Sequence, residues 1–362
     1  MAIQKIVIEE FLELAKTNTV LDVRSPGEYL LAHIPGANSL PLFTDEERKV
    51  VGTSYKQESR QIAIKKGLDY FGVKMKKLVE DVEILLADRK KQSKKTRTSE
   101  PFINNTVLVH CWRGGMRSAG VAWLLDLYGF KVYTLAGGYK AYRKWVREQF
   151  EKSYPLKIVG GYTGSGKTLV LNELKKMGLP VIDLEGLGNH KGSAFGSLGE
   201  APQPSQEMFE NLLSQNLNAN FINNHTIFLE DESQRIGQLQ IPMPFWNIMR
   251  TSKIAFLDIP FEKRLDYLTV EYGKFEKEKL INAVIRIQKR LGGLETKNAI
   301  SFLLENNHKE AFSILLTYYD KWYLKGLQNR DNLPDLLNKI SCAIVDAKAN
   351  ANILLHENEN TL

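Results

Sequence analysis

The sequence has little cysteine and no long hydrophobic run. Only Cys111 and Cys342 occur among the 362 residues, so we expect neither a disulfide framework nor a cysteine-ligated zinc cluster, and a reducing cytoplasm is the predicted location. No apolar run approaches the ~18 residues that a membrane-spanning helix requires. Charged residues interrupt the apolar positions of residues 1–10, so no signal-peptide core is predicted. We therefore expect neither a disulfide-rich secreted protein nor a membrane protein.

Charge is divided unevenly along the chain. Residues 1–150 contain 25 Lys and Arg against 17 Asp and Glu, a net charge of +8, whereas the remainder contains 24 against 25, a net charge of −1. A prior of ~150 residues per domain predicts two or three domains. The basic first half favours a polyanionic partner, RNA or DNA, although solubility alone would also explain the charge.

A loop with a cysteine, two glycines and two arginines follows a short apolar strand at Val107–Val109. Cys111 therefore lies between a strand end and a helix predicted from about Ser118 to Tyr128. The N–H groups of a helix N-terminus and the charges of Arg113 and Arg117 favour a thiolate at this position. We predict that Cys111 is a catalytic nucleophile assisted by both arginines, in preference to a buried structural cysteine.

A complete Walker A motif, Gly161-x4-Gly166-Lys167-Thr168, separates a predicted strand at Leu156–Val159 from a predicted helix at Leu169–Met177. Its glycines allow backbone N–H groups to approach phosphate oxygens, Lys167 neutralises their charge, and the Thr168 hydroxyl can hold Mg²⁺. No dedicated metal-ligand cluster is predicted. The expected phosphate-binding residues are Gly161, Gly164, Ser165, Gly166, Lys167 and Thr168.

Two acidic residues follow later strands of the same half. Asp183 and Glu230 are predicted to belong to the phosphate site, but Glu230 stands where a Walker B motif usually has Asp, which weakens the case for ordinary ATP hydrolysis. Residues 186–196 are predicted to form a polar, flexible loop at the carboxyl end of a strand, where α/β sheets bind ligands. From Phe261 the pattern predicts helices nearly to the end, with the aromatic residues of 318–323 in the core.

An insertion of about residues 45–100 separates the early strands from the Cys111 loop. Residues 59–86 are helix-like, and Arg89–Arg97 is basic, polar and without periodicity. We interpret the basic run either as a solvated loop or as a contact with an RNA backbone, which would make binding strongly dependent on salt.

Several motifs resemble those of rhodanese (sulfurtransferase) domains. They are Asp22-Val-Arg24-x-Pro26-x-Glu28-Tyr29, His33–Ala37, the Cys111 loop and Gly129–Tyr139. The resemblance covers about residues 20–43 and 103–150. Two features depart from it. Ala32 replaces the usual Gly, and the spacing Cys111-x5-Arg117 is one residue longer than usual. That longer spacing matches the His-Cys-x5-Arg loop of Cys-dependent phosphatases, so a phosphatase remains an alternative.

The combination of a rhodanese-like half and a P-loop half resembles the tRNA 2-selenouridine synthases, a family of wobble-uridine-modifying enzymes. The segments that carry this resemblance are Gly52–Gln57, Cys111–Ser118, Gly160–Thr168, Asp183–Gly186, Asn189–Ser193, Phe195–Gly196 and Glu230–Ser233. The resemblance implies that selenium from selenophosphate replaces the sulfur of a 2-thiouridine. It also implies an S-geranyl-2-thiouridine intermediate made from geranyl diphosphate.

The expected architecture is an α/β protein with a rhodanese-like domain at 1–150, carrying the helical and basic insertion, and a P-loop NTPase-like domain at 151–362 with a helical C-terminal region from about 261. The expected co-substrates are selenophosphate and geranyl diphosphate, Mg²⁺ can assist the latter, and tRNA is the expected partner, without a membrane or an obligate protein partner. Two other functions stay open: an ATP-dependent RNA sulfurtransferase, and a phosphatase-like Cys domain beside an NTP-binding module.

Overall fold

The structure is a computed structural model that describes residues 3–95, 105–221 and 225–359, without the side chains of residues 92–95 and 357–359. The chain divides into two compact units, Met1–Glu148 and Gln149–Leu362. Each unit contains a five-stranded sheet whose paired strands run parallel. The predicted α/β class is therefore confirmed. No helix in the described ranges has both the length and the apolar character to cross a membrane.

The strands of the first unit are β1 (Gln4–Ile6), β2 (Thr19–Asp22), β3 (Asn38–Ser39), β4 (Thr106–His110) and β5 (Lys131–Leu135). They lie in the order β1-β5-β4-β2-β3, so β4, which leads into the Cys111 loop, is central. All five residues of β4 are buried, as expected for a strand covered on both faces. The helices of this unit are α1 (Ile8–Ala15), α2 (Pro26–Leu31), α3 (Asp45–Gln57), α4 (Arg60–Gly72), α5 (Met75–Lys95), α6 (Met116–Tyr128) and α7 (Gly138–Gln149).

The edges of this sheet differ from the prediction. The sequence pattern predicts a short helix over residues 6–16, but the helix begins at Ile8 and the unpredicted strand β1 precedes it. β1 is only three residues long, and its parallel pairing with Tyr133–Leu135 is a long-range contact that a local pattern cannot reveal. The sequence also predicts a short strand over Ser39–Leu42, but β3 spans only Asn38–Ser39.

The insertion is helical, as predicted, but its helices are divided differently. The predicted stretch 59–86 forms α4 and α5, which are separate helices, and α3 precedes them with a Thr44–Glu47 capping box. The basic run is a helix up to Lys95 instead of a loop, and residues 96–97 lie outside the described residues. Lys, Gln and Arg form helices well without apolar periodicity, so a solvated helix leaves no such pattern.

The strands of the second unit are β6 (Leu156–Gly161), β7 (Val181–Ile182), β8 (Ile227–Glu230), β9 (Arg235–Ile236), β10 (Leu239–Gln240), β11 (Lys253–Asp258) and β12 (Leu337–Ser341). The main sheet has the order β12-β11-β6-β8-β7, and β9 and β10 form an antiparallel pair. β12 corrects the prediction that the chain is helical from Phe261 nearly to its end. It lies at the sheet edge with Ile340 as its only buried residue among the five, so its apolar signal is weak.

The helices of this unit are α8 (Lys167–Lys176), α9 (Leu184–Gly188), α10 (Gln206–Asn220), α11 (Met243–Thr251), α12 (Phe261–Tyr272), α13 (Lys277–Leu291), α14 (Gly293–Leu304), α15 (His308–Gln328), α16 (Leu333–Leu336) and α17 (Ala347–Glu359). Helices α12 to α15 share a hydrophobic core that includes Leu268, Val284, Leu303 and Leu316. This helical layer brings residues distant in sequence to the P-loop that links β6 and α8.

Candidate active sites

The loop after β4 holds the Cys111 thiol against the start of α6. Cys111 is 3% exposed, and its Sγ lies 3.2 Å from the Ser118 Oγ. Burial raises the pKa of the thiol, but hydrogen bonds from the Ser118 hydroxyl and from the N–H groups of Ser118 and Gly115, together with the charge of Arg117, lower the pKa below its ordinary value. These interactions favour the thiolate, which is the nucleophilic form of cysteine.

Two glycines allow the loop to pack against the turn between β5 and α7. Gly114 and Gly138 have φ angles of +63° and +60°, which residues with a Cβ rarely adopt. A Cβ on Gly138 would lie 2.3 Å from the Cys111 carbonyl oxygen and 2.4 Å from the Gly114 nitrogen. The Tyr139 N–H donates to the same carbonyl at 2.8 Å. The turn therefore fixes the backbone of Cys111, and a side chain at position 138 would displace it.

The two predicted arginines lie in different environments. Arg117 donates from Nη1 to the Glu28 Oε2 at 2.7 Å. Burial raises the pKa of Glu28, but the hydrogen bonds from Arg117 and from the Ser25 N–H, together with the charge of Arg48, hold this pKa below its ordinary value. Arg113 is exposed and forms no ion pair among the described residues. The structure thus places Arg117 close enough to act on the thiol and leaves Arg113 on the exposed side of the loop.

Buried polar and aromatic side chains pack near the Cys111 loop. Asp22 and Arg24 form an ion pair at 2.6 Å with both side chains almost fully buried, and the Arg24 guanidinium lies 3.8 Å from the centroid of the Tyr139 ring. Burial lowers the pKa of His110 to about 4, so this imidazole is neutral at neutral pH. Trp112 is 37% exposed and packs on Tyr139 with ring centroids 5.7 Å apart. Trp112 therefore combines packing with an exposed indole face.

The P-loop of the second unit joins β6 to α8, as predicted. Gly161, Gly164 and Gly166 have φ angles of +148°, +79° and +72°, so the loop follows a path that favours glycine. A Cβ on Gly161 would lie 2.4 Å from the Ser165 Oγ. Because α8 begins at Lys167, its N-terminal N–H groups and its dipole favour an anion at the loop.

The reactive side chains of the P-loop contact oxygen atoms of the protein. Lys167 donates from Nζ to the Gly161 carbonyl oxygen at 3.1 Å, and Thr168 donates from Oγ1 to the Glu185 Oε2 at 2.8 Å. Glu185 lines the cavity beside them, although it was not a predicted site residue. When a phosphate-bearing ligand binds, Lys167 would exchange its hydrogen bond to the neutral Gly161 carbonyl for a stronger, charged hydrogen bond to a phosphate oxygen.

A cluster of carboxyl groups surrounds this position. The Glu185 N–H donates to the Glu230 Oε1 at 2.6 Å. Burial raises the pKa of Glu230 and of Glu232 well above the ordinary value, and the negative charges of neighbouring carboxyl groups raise it further. Burial also raises the pKa of Glu185, although the positive charge of Lys167 lowers it in part. The cluster therefore retains protons at a pH where exposed carboxyl groups are ionised, which limits its repulsion of an anionic ligand.

Residues from distant helices fix the P-loop. Tyr323 on α15 accepts a hydrogen bond from the Gly161 N–H at 3.1 Å and donates to the Asp231 Oδ2 at 2.7 Å. Arg330 pairs with the same carboxylate at 2.6 Å. Arg264 on α12 donates to the Thr163 carbonyl oxygen at 3.0 Å. Because its N–H group is engaged by Tyr323, Gly161 shapes the loop in this structure and its N–H does not point to a ligand.

The P-loop opens into a cavity of about 710 Å³. The P-loop residues Thr163–Thr168 and the acids Glu185, Asp231 and Glu232 line its polar part. Its other part is lined by aromatic and aliphatic side chains from α12 and α15, which include Tyr267, Leu268, Tyr272, Tyr319, Trp322 and Leu327. The cavity can therefore hold a ligand with a phosphate end and an apolar end.

The predicted site residues of this unit divide into two groups. Gly164, Ser165, Gly166, Lys167 and Thr168 line the cavity, whereas Gly161, Asp183 and Glu230 are not among its lining residues. Asp183 is the N-cap of α9 and accepts a hydrogen bond from the Gly186 N–H at 2.7 Å, and Glu230 holds the Glu185 backbone.

The region predicted as the flexible loop 186–196 begins inside the short helix α9, which corrects that prediction. Its glycines concealed the helix. Within the described parts of the chain, no group of three or more His, Cys, Asp or Glu side chains has the geometry of a metal site.

Both units match known protein families. The family model of a rhodanese-like domain matches residues 7–144, and that of the tRNA 2-selenouridine synthase AAA domain matches residues 154–344. The tRNA 2-selenouridine synthase of Sulfurovum sp. (strain NBC37-1) is 33% identical, over 87% of this chain and 90% of its own. That of Hydrogenovibrio crunogenus is 33% identical over 87% and 91%, and that of Bdellovibrio bacteriovorus is 32% identical over 91% and 94%.

Proposed function

The chain belongs to the tRNA 2-selenouridine synthase family, and from this premise we propose how its two sites share the reaction. The protein is a transferase that converts the 2-thiouridine of the tRNA wobble position into 2-selenouridine. In our proposal, the P-loop cavity transfers a geranyl group from geranyl diphosphate to the sulfur. The Cys111 site then introduces selenium from selenophosphate. The reaction acts on tRNA, so we expect the enzyme to work in the cytoplasm.

The observation that carries the geranyl step is the composition of the P-loop cavity. A diphosphate would lie on the loop N–H groups and Lys167, which is the usual arrangement for phosphate oxygens. The ten-carbon geranyl chain would lie along the apolar wall that Tyr319, Trp322 and Leu268 form. Aromatic rings bury large apolar areas, so this wall would favour a prenyl chain.

Alkylation solves a chemical problem at the base. Sulfur bound to C2 of the uracil ring is a poor leaving group, whereas a thiolate derived from an S-geranyl group leaves readily. In the geranyl step the sulfur attacks C1 of geranyl diphosphate, and diphosphate departs with the electron pair of the broken C–O bond. Lys167 and the N-terminus of α8 would stabilise the charge that develops on the departing diphosphate.

The oxygen atoms beside the P-loop are suited to Mg²⁺, which prefers hydroxyl, carboxylate and phosphate oxygens. Thr168 and Glu185, whose side chains are 2.8 Å apart, would hold it. When bound, Mg²⁺ would supply positive charge to the diphosphate oxygens. Lys167 and the loop N–H groups would bind and orient the diphosphate.

The Cys111 site suits a small tetrahedral anion. A thiol whose pKa lies below its ordinary value lies beside the Arg117 guanidinium and two backbone N–H groups, and Arg113 adds positive charge on the exposed side. Selenophosphate would bind to these groups through its oxygens. Selenium delivered from this site would replace the S-geranyl group at C2. The exposed Trp112 indole offers a surface on which an extruded base can stack.

The test is nucleoside mass spectrometry of a 2-thiouridine-containing tRNA incubated with the protein. With geranyl diphosphate alone we expect S-geranyl-2-thiouridine, and with selenophosphate as well we expect 2-selenouridine, in both cases without ATP. An ATP-dependent RNA sulfurtransferase would instead require ATP and turn it over during modification. A requirement for ATP, or no geranylated nucleoside, would contradict the assignment of the P-loop cavity.

A further inference from the structure

The Cys111-x5-Arg117 spacing is one residue longer than in rhodanese domains, and selenium transfer by ordinary sulfurtransferase chemistry does not explain this difference. Five residues separate Cys111 from Arg117. The N–H groups of Gly115 and Ser118 lower the pKa of the Cys111 thiol, and the Ser118 Oγ lies 3.2 Å from its sulfur, so the loop stabilises this sulfur both as a nucleophile and as a leaving group. A loop of converging N–H groups with an arginine binds the equatorial oxygens of a phosphoryl group.

The number of thiols in the chain limits what the sulfur can do. If Cys111 attacked selenium, it would carry selenium as a selenosulfide. Attack of that selenium on the base would leave Cys111 linked to it through an Se–S bond, which a second thiol must break. The chain has one other cysteine, Cys342, which is 1% exposed in the hydrophobic core of the second unit. It cannot reach a selenosulfide without unfolding that core.

The oxidation states lead to the same conclusion. Attack of a thiolate on the selenium of selenophosphate would release phosphite, so phosphorus would be reduced and selenium oxidised. Delivery of selenium as selenide would then require a two-electron reductant. Attack on phosphorus requires none, because phosphorus and selenium keep their oxidation states.

We propose that the Cys111 thiolate attacks the phosphorus of selenophosphate, which makes Cys111 a phosphoryl acceptor. The S–P bond forms and the P–Se bond breaks. Its electron pair leaves with selenium, so Cys–S⁻ and HSePO₃²⁻ give Cys–S–PO₃²⁻ and HSe⁻. Arg117 and the N-terminus of α6 stabilise the oxygens of the transferred group. The inference rests on the proposed function, because it takes selenophosphate as the selenium donor.

The two products are then consumed separately. HSe⁻ adds to C2 of the S-geranyl nucleoside and expels geranyl thiolate, and the proton on selenium passes to N3. Water hydrolyses the phosphocysteine to H₂PO₄⁻ and regenerates the Cys111 thiolate. Ser118, whose Oγ lies 3.2 Å from the Cys111 sulfur, donates a hydrogen bond to this sulfur and stabilises it as a thiolate when it leaves phosphorus. Ser118 therefore acts in hydrolysis more than in formation of the intermediate.

The experiment supplies ³²P-labelled or ⁷⁵Se-labelled selenophosphate to the full-length protein with pre-formed S-geranyl-2-thiouridine tRNA. The reaction is quenched rapidly, the labelled peptide is identified, and 2-selenouridine is measured in the same sample. We expect ³²P on the Cys111 peptide in the wild type at early times and its loss as phosphate appears. Ser118→Ala should keep the ³²P for at least several times longer, Cys111→Ala should show none, and Cys342→Ala should behave as the wild type.

The outcomes separate the inference from the proposed function. If 2-selenouridine forms while ⁷⁵Se and not ³²P is found on Cys111, with phosphite released, Cys111 attacks selenium and the inference is wrong. The inference is also wrong if 2-selenouridine forms but neither ³²P nor ⁷⁵Se is found on Cys111 at any time, in the wild type or in Ser118→Ala. In both cases the proposed function stands. If S-geranyl tRNA gives no 2-selenouridine, the proposed function itself fails.

Discussion

The Cys111 loop and the P-loop have the same local construction but different surroundings. Each follows a buried parallel strand, contains a glycine with positive φ and ends at the N-terminus of a helix. The Cys111 loop begins with a buried thiol that lies beside an arginine, whereas the P-loop opens into a cavity of about 710 Å³ that aromatic side chains line. The shared part is suited to an oxyanion. The thiol of one loop and the cavity of the other decide what happens to the anion.

The charges around the two loops also differ. Arg117 lies beside the Cys111 thiol, whereas the P-loop lysine lies near the carboxyl cluster of Glu185, Glu230 and Glu232, whose pKa values burial raises. The first site is therefore suited to activating a nucleophile in the protein. The second is suited to gripping a leaving group while the nucleophile comes from the substrate. Because the two sites lie in separate compact units, we expect a single substitution to disable one site and leave the other active.

The largest effect is expected for Cys111→Ala. This variant should form S-geranyl-2-thiouridine at the wild-type rate and no 2-selenouridine, because it lacks only the nucleophile of the selenium step. Nucleoside mass spectrometry of the tRNA measures both products. Cys342→Ala is the matched control and should retain both steps, with a stability loss of roughly 1 kcal/mol for a small buried deletion. Equal 2-selenouridine yields from the two variants would remove Cys111 from the mechanism.

Lys167→Ala should give the converse result. Removing the charge on the departing diphosphate should lower the rate of geranyl transfer by ~10²-fold or more. The same variant should still convert pre-formed S-geranyl tRNA into 2-selenouridine. Lys175→Ala, an exposed lysine on the same helix, is the control. Geranyl transfer that is equally fast in both variants would show that the P-loop does not hold the diphosphate.

Trp322→Ala tests the apolar wall of the cavity. Loss of about 1.5 kcal/mol of apolar contact should raise the KM for geranyl diphosphate roughly tenfold. Inhibition by inorganic diphosphate, which lacks the prenyl chain, should be unchanged. The KM for dimethylallyl diphosphate, a shorter analogue, should also be unchanged. Parallel weakening of all three ligands would instead indicate a general disturbance of the site.

Ser118→Ala tests the electrostatics of the thiol. Burial raises the pKa of Cys111, and the Ser118 and Gly115 hydrogen bonds and Arg117 lower it to below its ordinary value. The thiolate fraction, and with it the rate of alkylation by iodoacetamide, should fall as the pH falls through this pKa. Removing the Ser118 hydroxyl should move the midpoint to higher pH. A midpoint that is unchanged or lower would show that Ser118 does not stabilise the thiolate.

The smallest effect is expected for the basic surface of the first unit. Lys90 and Lys91 are exposed on α5, and reversing them to Glu should weaken all tRNAs alike, because phosphate contacts carry no sequence information. Each lost phosphate contact should flatten the slope of log K against log salt by roughly 0.7 to 0.9. Lys94 and Lys95 would extend the series. An unchanged slope would remove α5 from the tRNA interface.

The sequence predicted the parts of each site that are contiguous in the chain. The Cys111 loop and the P-loop each contain their strand, turn glycines and helix start in one short segment, residues 106–116 and 156–167, so local spacing predicts them. The sequence pattern predicts Tyr319 and Trp322 in the core and does not indicate an aromatic wall, because only the packing of α15 brings them to the cavity. Arg330 and Asp231 are 99 residues apart, and no local pattern joins them.

The most direct measurement is the nucleoside content of one 2-thiouridine tRNA after reaction with both co-substrates and the wild type, Cys111→Ala or Lys167→Ala. If the two sites act in sequence, the wild type gives 2-selenouridine, Cys111→Ala accumulates S-geranyl-2-thiouridine, and Lys167→Ala leaves 2-thiouridine almost unchanged. Formation of 2-selenouridine by Lys167→Ala at the wild-type rate would contradict the account, because selenium would then enter without the geranyl step.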